Sequence, residues 1–128
     1  ANIVSAKLYF MPWVNSSGIA GQTFIWVTLG HQHDPVITAD WYAQNAEIAS
    51  GGEINADDII LNVYNQIAFN SAGQNFIKKG DITKLCVRQK FDVINFEPPH
   101  LSRSEMAYWS NQKGIGYRPY LALEYYPA

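Results

Sequence analysis

The 128-residue chain has a single cysteine, Cys86, so no disulfide can form within it and its stability must come from packing. Charge is equally sparse: nine Lys and Arg stand against eleven Asp and Glu, charged residues make up 16% of the chain, and the formal net charge is -2. Such a balance supplies no field with which to displace counterions from a phosphate backbone or to hold an anionic leaflet. Nucleic acid and membrane are therefore not expected among the partners. No apolar run approaches the ~20 residues of a spanning helix, and the one basic doublet, Lys78-Lys79, is followed after Gly80 by Asp81 and reads as a solvated helix end. Ala1-Asn2-Ile3-Val4 enters a strand pattern with no signal peptide ahead of it, as expected if an initiator Met has been removed or if the module is cut from a longer chain. A Gly-rich phosphate loop, a nucleophile elbow and a triad order are all missing, and no enzymatic activity is expected.

What is abundant is core material. Hydrophobic residues make up 48% of the chain and aromatic residues 14%, enough for one hydrophobic core in a single domain spanning residues 1–128. Asn2 to Met11 alternates, with Val4, Ala6, Leu8 and Phe10 on one face, and predicts the first strand. Pro12 to Gly21 reads as a loop. Gln22 to Leu29 is apolar on both faces, as in a strand covered on both sides. Further strands are expected from Ile54, over Ile59 to Tyr64 with Gln66 to Asn70, and over Thr83 to Arg88, Glu105 to Ser110 and Pro119 to Tyr126. Short helices are predicted over 38–47, with Thr38 as N-cap and Ser50-Gly51-Gly52 as stop, and over 71–80, with its lysines near the negative end. Pro98-Pro99 marks a crossing or an edge loop. The expected fold is all-β: a jelly-roll β-sandwich of about seven or eight strands with one or two short helices.

The order of residues from Asn62-Val63-Tyr64 through Ile67-Ala68-Phe69-Asn70-Ser71-Ala72-Gly73, Ile82-Thr83-Lys84-Leu85, Arg88 and Asp92 to Ser110, Gly114 to Gly116, Pro119-Tyr120-Leu121 and Tyr125, with Ser5-Ala6-Lys7-Leu8-Tyr9-Phe10 as opening strand, resembles a known class. It is similar to the jelly-roll modules of phage structural proteins and bacterial extracellular proteins, including carbohydrate-binding modules that carry the DNRLRE signature. Leu85-Cys86-Val87-Arg88 stands where that signature has a fuller Asn-Arg-Leu run. The resemblance implies a non-catalytic sandwich used for attachment or assembly, some of whose members bind polysaccharide. The implied location is extracellular or on a virion surface, and the implied partners are copies of the chain itself or other structural subunits.

Aromatic side chains in loops are the most plausible binding hardware, because an indole or phenol ring stacks on the C–H face of a sugar or anchors a protein interface. The candidates are Trp13, the pair Trp41 and Tyr42 on the first helix, Tyr117 with Arg118 in a Gly-rich loop, and Tyr126. Trp26 and Trp109 fall inside predicted strands and are expected in the core. His31, His33 and Asp34 lie at a strand end where they could share a metal, with His100 the remaining imidazole. Asp57, Asp58, Asp92 and Glu97 offer oxygen ligands to calcium. No cofactor is expected beyond a structural calcium or zinc at such sites. Cys86 reads as a half-buried strand residue, Arg88 and Arg103 as salt-bridge partners of Asp92 and Glu105, and Asn15-Ser16-Ser17 as a glycosylation sequon in a secreted chain. The function expected is a structural or adhesion module acting through assembly contacts. A carbohydrate-binding module stacking sugars on exposed rings is the alternative.

Overall fold

The computed structural model describes residues 2–16, 23–94 and 105–127. It is mostly strand: β1 (Asn2–Phe10), β2 (Pro12–Ser16), β3 (Phe24–Leu29), β4 (Glu53–Asn55), β5 (Asn65–Ala68), β6 (Leu85–Gln89), β7 (Glu105–Tyr108) and β8 (Tyr120–Tyr126). Three short helices, α1 (Asp40–Ala43), α2 (Ser71–Asn75) and α3 (Lys90–Val93), interrupt them, where one or two were expected. All strand pairs are antiparallel. They form three sheets, ordered β5-β1-β8, β2-β7 and β4-β3-β6.

The alternation in β1 sets the inside of the protein. Ala6, Leu8 and Phe10 are buried and join Ile25 and Val27 of β3, Ile67 of β5 and Phe69 in one apolar cluster, so the core draws on both three-stranded sheets. Val4 breaks the expected pattern and is exposed. The cause is a register shift between Ile3 and Ser5 in the pairing with β8, which inverts the phase and turns Ile3 toward the core instead. Strand β3 is central in its sheet, and both Val27 and Thr28 are fully covered, as its two-faced sequence predicts.

Four local expectations are corrected. Pro12 to Ser16 is strand rather than loop: Pro12 occupies the first position of β2, where a missing N–H costs no ladder bond, and its carbonyl accepts from Asn62 N at 2.8 Å. Ile59 to Tyr64 is not a strand. The buried Asn65 amide donates to the carbonyls of Ile60 and Val63 at 2.7 and 3.0 Å and accepts from Ile60 N at 2.9 Å, closing residues 60–64 into a turn with Asn62 at φ 61°. The helices are also shorter than predicted. Ala39, not Thr38, precedes α1, without a side-chain cap, and a 3-10 turn, Gln44–Ala46, continues it. Helix α2 is capped by Asn70 and ends at Asn75, leaving Lys78 and Lys79 beyond it. Strand β7 stops at Tyr108, so Trp109 lies outside the strand. Glu97, Pro98, Pro99, His100, Arg103 and Ser17 lie outside the described residues.

Candidate functional site

Two places gather candidate side chains. The first begins where β2 and β7 pair. Pro12 opposes Tyr108 and is buried, so its neighbour Trp13 turns outward, and Trp109, whose amide donates to Met11 O at 3.0 Å, comes to lie beside it. The two indoles stack with centroids 5.5 Å apart and planes 26° from parallel. Ser110 then accepts from Gln112 N and opens a 3-10 turn, Asn111–Lys113, that carries the Lys113 ammonium back to 4.4 Å from the Trp109 ring centroid. Gly114 follows at φ 101°, a conformation other residues adopt only with strain, and brings Tyr117 edge-on to Trp109 at 6.4 Å. Lys113 also lies 5.2 Å from the Tyr117 ring centroid. The result is a partly exposed platform of three rings with a cation against two of them, a favourable arrangement of quadrupole and charge.

The structure thus brings together Trp13 and Tyr117 of the predicted binding residues. Arg118 follows Tyr117 and is exposed, its carbonyl accepting from Tyr64 Oη at 2.9 Å. Tyr120 stacks on Tyr9 with planes 7° apart, and Tyr64 meets it edge-on, extending the ring surface onto the outer face of β1 and β8. Trp41 and Tyr42 belong to α1, in the other region described below; Tyr42 is exposed, and the Trp41 side chain lies outside the described set. Trp109 and Lys113 escape sequence reasoning, although their spacing of four residues and that of Lys113 from Tyr117 was a usable signal.

The second place is the excursion between β3 and β4. His33 and Asp40 form a short pair, Nδ1 to Oδ1 at 2.6 Å, and the other Asp40 oxygen accepts from Ile37 N at 2.7 Å and His33 N at 3.0 Å. His31 pairs instead with Glu47, Nε2 to Oε1 at 2.6 Å. The predicted trio His31, His33 and Asp34 is therefore divided: each imidazole holds its own carboxylate, and Asp34 precedes Pro35 across a cis peptide. Among the described residues no three His, Cys, Asp or Glu side chains are grouped to hold a metal. Arg88 locks the excursion to β6, donating to the Gln44 and Glu47 carbonyls and to Asp92. Between them opens a cleft of about 980 Å³ lined by Val36, Ile37, Leu85, Val87, Arg88 and Tyr108 among others.

Cys86 also lines this cleft. Burial pushes its thiol above the ordinary value, against the opposing pull of the Arg88 cation, so it stays protonated at neutral pH and is a poor nucleophile. Asp92, a candidate calcium ligand in the sequence, is committed to Arg88 at 2.9 Å, as the expected salt bridge requires. The Asn15 side chain is half-buried and engaged as well, donating to Ala56 O at 2.8 Å.

Asp40 makes the excursion acid-sensitive. Burial raises its pKa, but hydrogen bonds from Ile37 N and from the His33 ring and amide outweigh that and hold the carboxyl below its ordinary value. A depressed pKa contributes stability above the unfolded value that disappears as pH falls through the folded one. Hydrogen-exchange protection of the Ile37 and His33 amides is thus expected to hold from neutral pH down to ~4 and to be lost below it. Protection that survives further acidification, or that is lost in the same way in Asp40→Asn, contradicts this assignment.

Comparison of the chain with family models, with curated proteins and with solved structures finds no match.

Proposed function

We propose that the chain is a non-catalytic jelly-roll module that works by attachment, joining copies of itself or other structural subunits on a virion surface or outside the cell. The strand pairing supports the jelly-roll assignment: β1 with β8, β2 with β7 and β3 with β6 are nested pairs, the order produced when one long antiparallel hairpin is rolled up. The observation that carries the assembly reading is the position of the exposed apolar surface. Among the described residues strand β8 is a sheet edge seven residues long, and Tyr120, Leu123, Tyr125 and Tyr126 along it are all exposed. Large apolar side chains on an open edge serve contact with another chain. Sedimentation velocity over a concentration series tests this. Concentration-dependent association supports it, and a chain that stays monomeric up to millimolar concentration overturns it.

The ring platform favours a second reading, a carbohydrate-binding module. Trp13 and Tyr117 present ring faces to the C–H surface of a sugar, with Arg118 near enough in sequence to meet hydroxyls and the exposed Tyr42 of α1 standing apart from them. Trp13→Ala and Tyr117→Ala are then each expected to weaken glycan binding by more than ~1 kcal/mol, read by titration against a glycan found on an array. Unchanged affinity with an intact circular-dichroism spectrum removes the platform from consideration.

A further inference from the structure

Among the described residues strand β8 is an edge whose inner side is unfinished. Leu121 packs against the core, and Leu123 and Tyr125 point the same way, opposite Ala6 and Ile3 of β1. Yet Leu123 is 40% exposed and Tyr125 60%. Core-directed side chains left open to this degree call for another strand beside them. The usual devices that blunt an edge are missing along its free side: β8 contains no Pro and no Lys, and its only charge is Glu124. The other edges are shorter: β2 and β6 have five residues, β5 and β7 four and β4 three, and β6 also carries the Arg88 clamp.

We infer that β8 pairs antiparallel with the β8 of a second copy, about a two-fold axis through Leu123, an inference that rests on the assembly reading above. In that register Tyr120 opposes the second copy's Tyr126, Leu121 opposes its Tyr125, Ala122 opposes its Glu124, and Leu123 opposes its own counterpart. Every inner-face residue meets an inner-face residue, as an antiparallel pair requires. The single carboxylate faces an alanine, so no like charges are set directly opposite each other. The two β5-β1-β8 sheets become one six-stranded sheet, and the half-covered Leu123 side chains cover each other. A foreign strand would need its own complement to this pattern. The second copy supplies it by symmetry.

The register is testable. In sedimentation velocity the intact chain is expected to dimerise with rising concentration, and Leu123→Lys, which sets two ammonium groups across the axis at a position already partly exposed, is expected to raise the dissociation constant about tenfold or more. Oxidative cross-linking in a Cys86→Ser background gives an independent readout. Leu123→Cys should form a covalent dimer, whereas Ala122→Cys should not, because its sulfurs start from backbone positions about 8 Å apart, beyond disulfide reach. Association that is indifferent to Leu123→Lys, or equal cross-linking at both positions, overturns this inference and leaves the assembly reading in place. A monomeric wild-type chain overturns both.

Discussion

Gly73→Ala is expected to cost about 3 kcal/mol, at the upper end of what overpacking a closed site costs. A Cβ on Gly73 would stand 2.0 Å from Gly51 O and 2.8 Å from its carbonyl carbon. Those are backbone atoms, and they are not free to yield. Gly51 O accepts from Asn70 N at 2.9 Å, Asn70 Nδ2 donates to Ser50 O at 2.9 Å, and Asn70 Oδ1 caps α2 by accepting from Gly73 N at 2.9 Å. Gly51 N in turn donates to Val27 O at 2.8 Å, so the same few atoms tie α2 to the central strand of the other sheet. Relieving the clash means lifting α2 from Gly51 and breaking bonds worth about 1 kcal/mol each, out of a total stability of about 5–15 kcal/mol. Urea unfolding is the measurement, with a lowered midpoint at unchanged slope. Gly80→Ala is the control: its φ of 79° imposes strain, but a Cβ there meets nothing within 4 Å. The close-approach argument fails if the two variants lose equal stability.

That crossing was invisible in the sequence, where Ser50-Gly51-Gly52 looked like the stop of a helix. Composition cannot say that a glycine is needed because another backbone passes over it. The strands were easier to read, because burial on one face writes itself into alternate residues: Ala6, Leu8 and Phe10 in β1 and the doubly covered β3 stand where alternation puts them. Ile59 to Val63 carried a strand's composition, yet the Asn65 amide bends them into a turn. Propensity there describes side-chain shape, and a single buried polar group overrides it.

The ring platform shows the same division. That Trp13 and Tyr117 would be accessible follows from their places beside Pro and Gly. That they share Trp109 depends on β2 pairing with β7 across some 90 residues of chain, and no local pattern encodes a long-range register. His31 and His33 illustrate the converse. Two imidazoles two residues apart look like half a metal site, but carboxylates supplied from α1 and Glu47 claim them separately.

Arg88→Met is expected to cost about 3 kcal/mol, with the loss falling on the excursion between β3 and β4 rather than on the core. The Arg88 side chain is only 8% exposed. Its Nη1 donates to the Gln44 and Glu47 carbonyls at 2.8 and 3.1 Å, while Nε and Nη2 grip Asp92 at 2.9 Å. Bonds from a charged donor contribute about 1.5–3 kcal/mol each, but the two ends differ in what they lose. Asp92 is 65% exposed and recovers water when the guanidinium leaves, so its share is small. The Gln44 carbonyl lies in the 3-10 turn that continues α1, and with the Glu47 carbonyl it holds the far end of the excursion on β6. Hydrogen exchange should therefore show the Tyr42 and Glu47 amides, which donate to Ala39 and Gln44 carbonyls, losing protection while Val27 and Ile67 keep theirs. Arg88→Lys should rescue little, because one ammonium cannot span Asp92 and two carbonyls at once. Uniform loss across the core would instead make Arg88 a global support. Gln32, donating to Leu85 O at 3.2 Å, ties the start of the excursion to β6, so loss of Arg88 frees its Gln44 to Glu47 end and opens the cleft there.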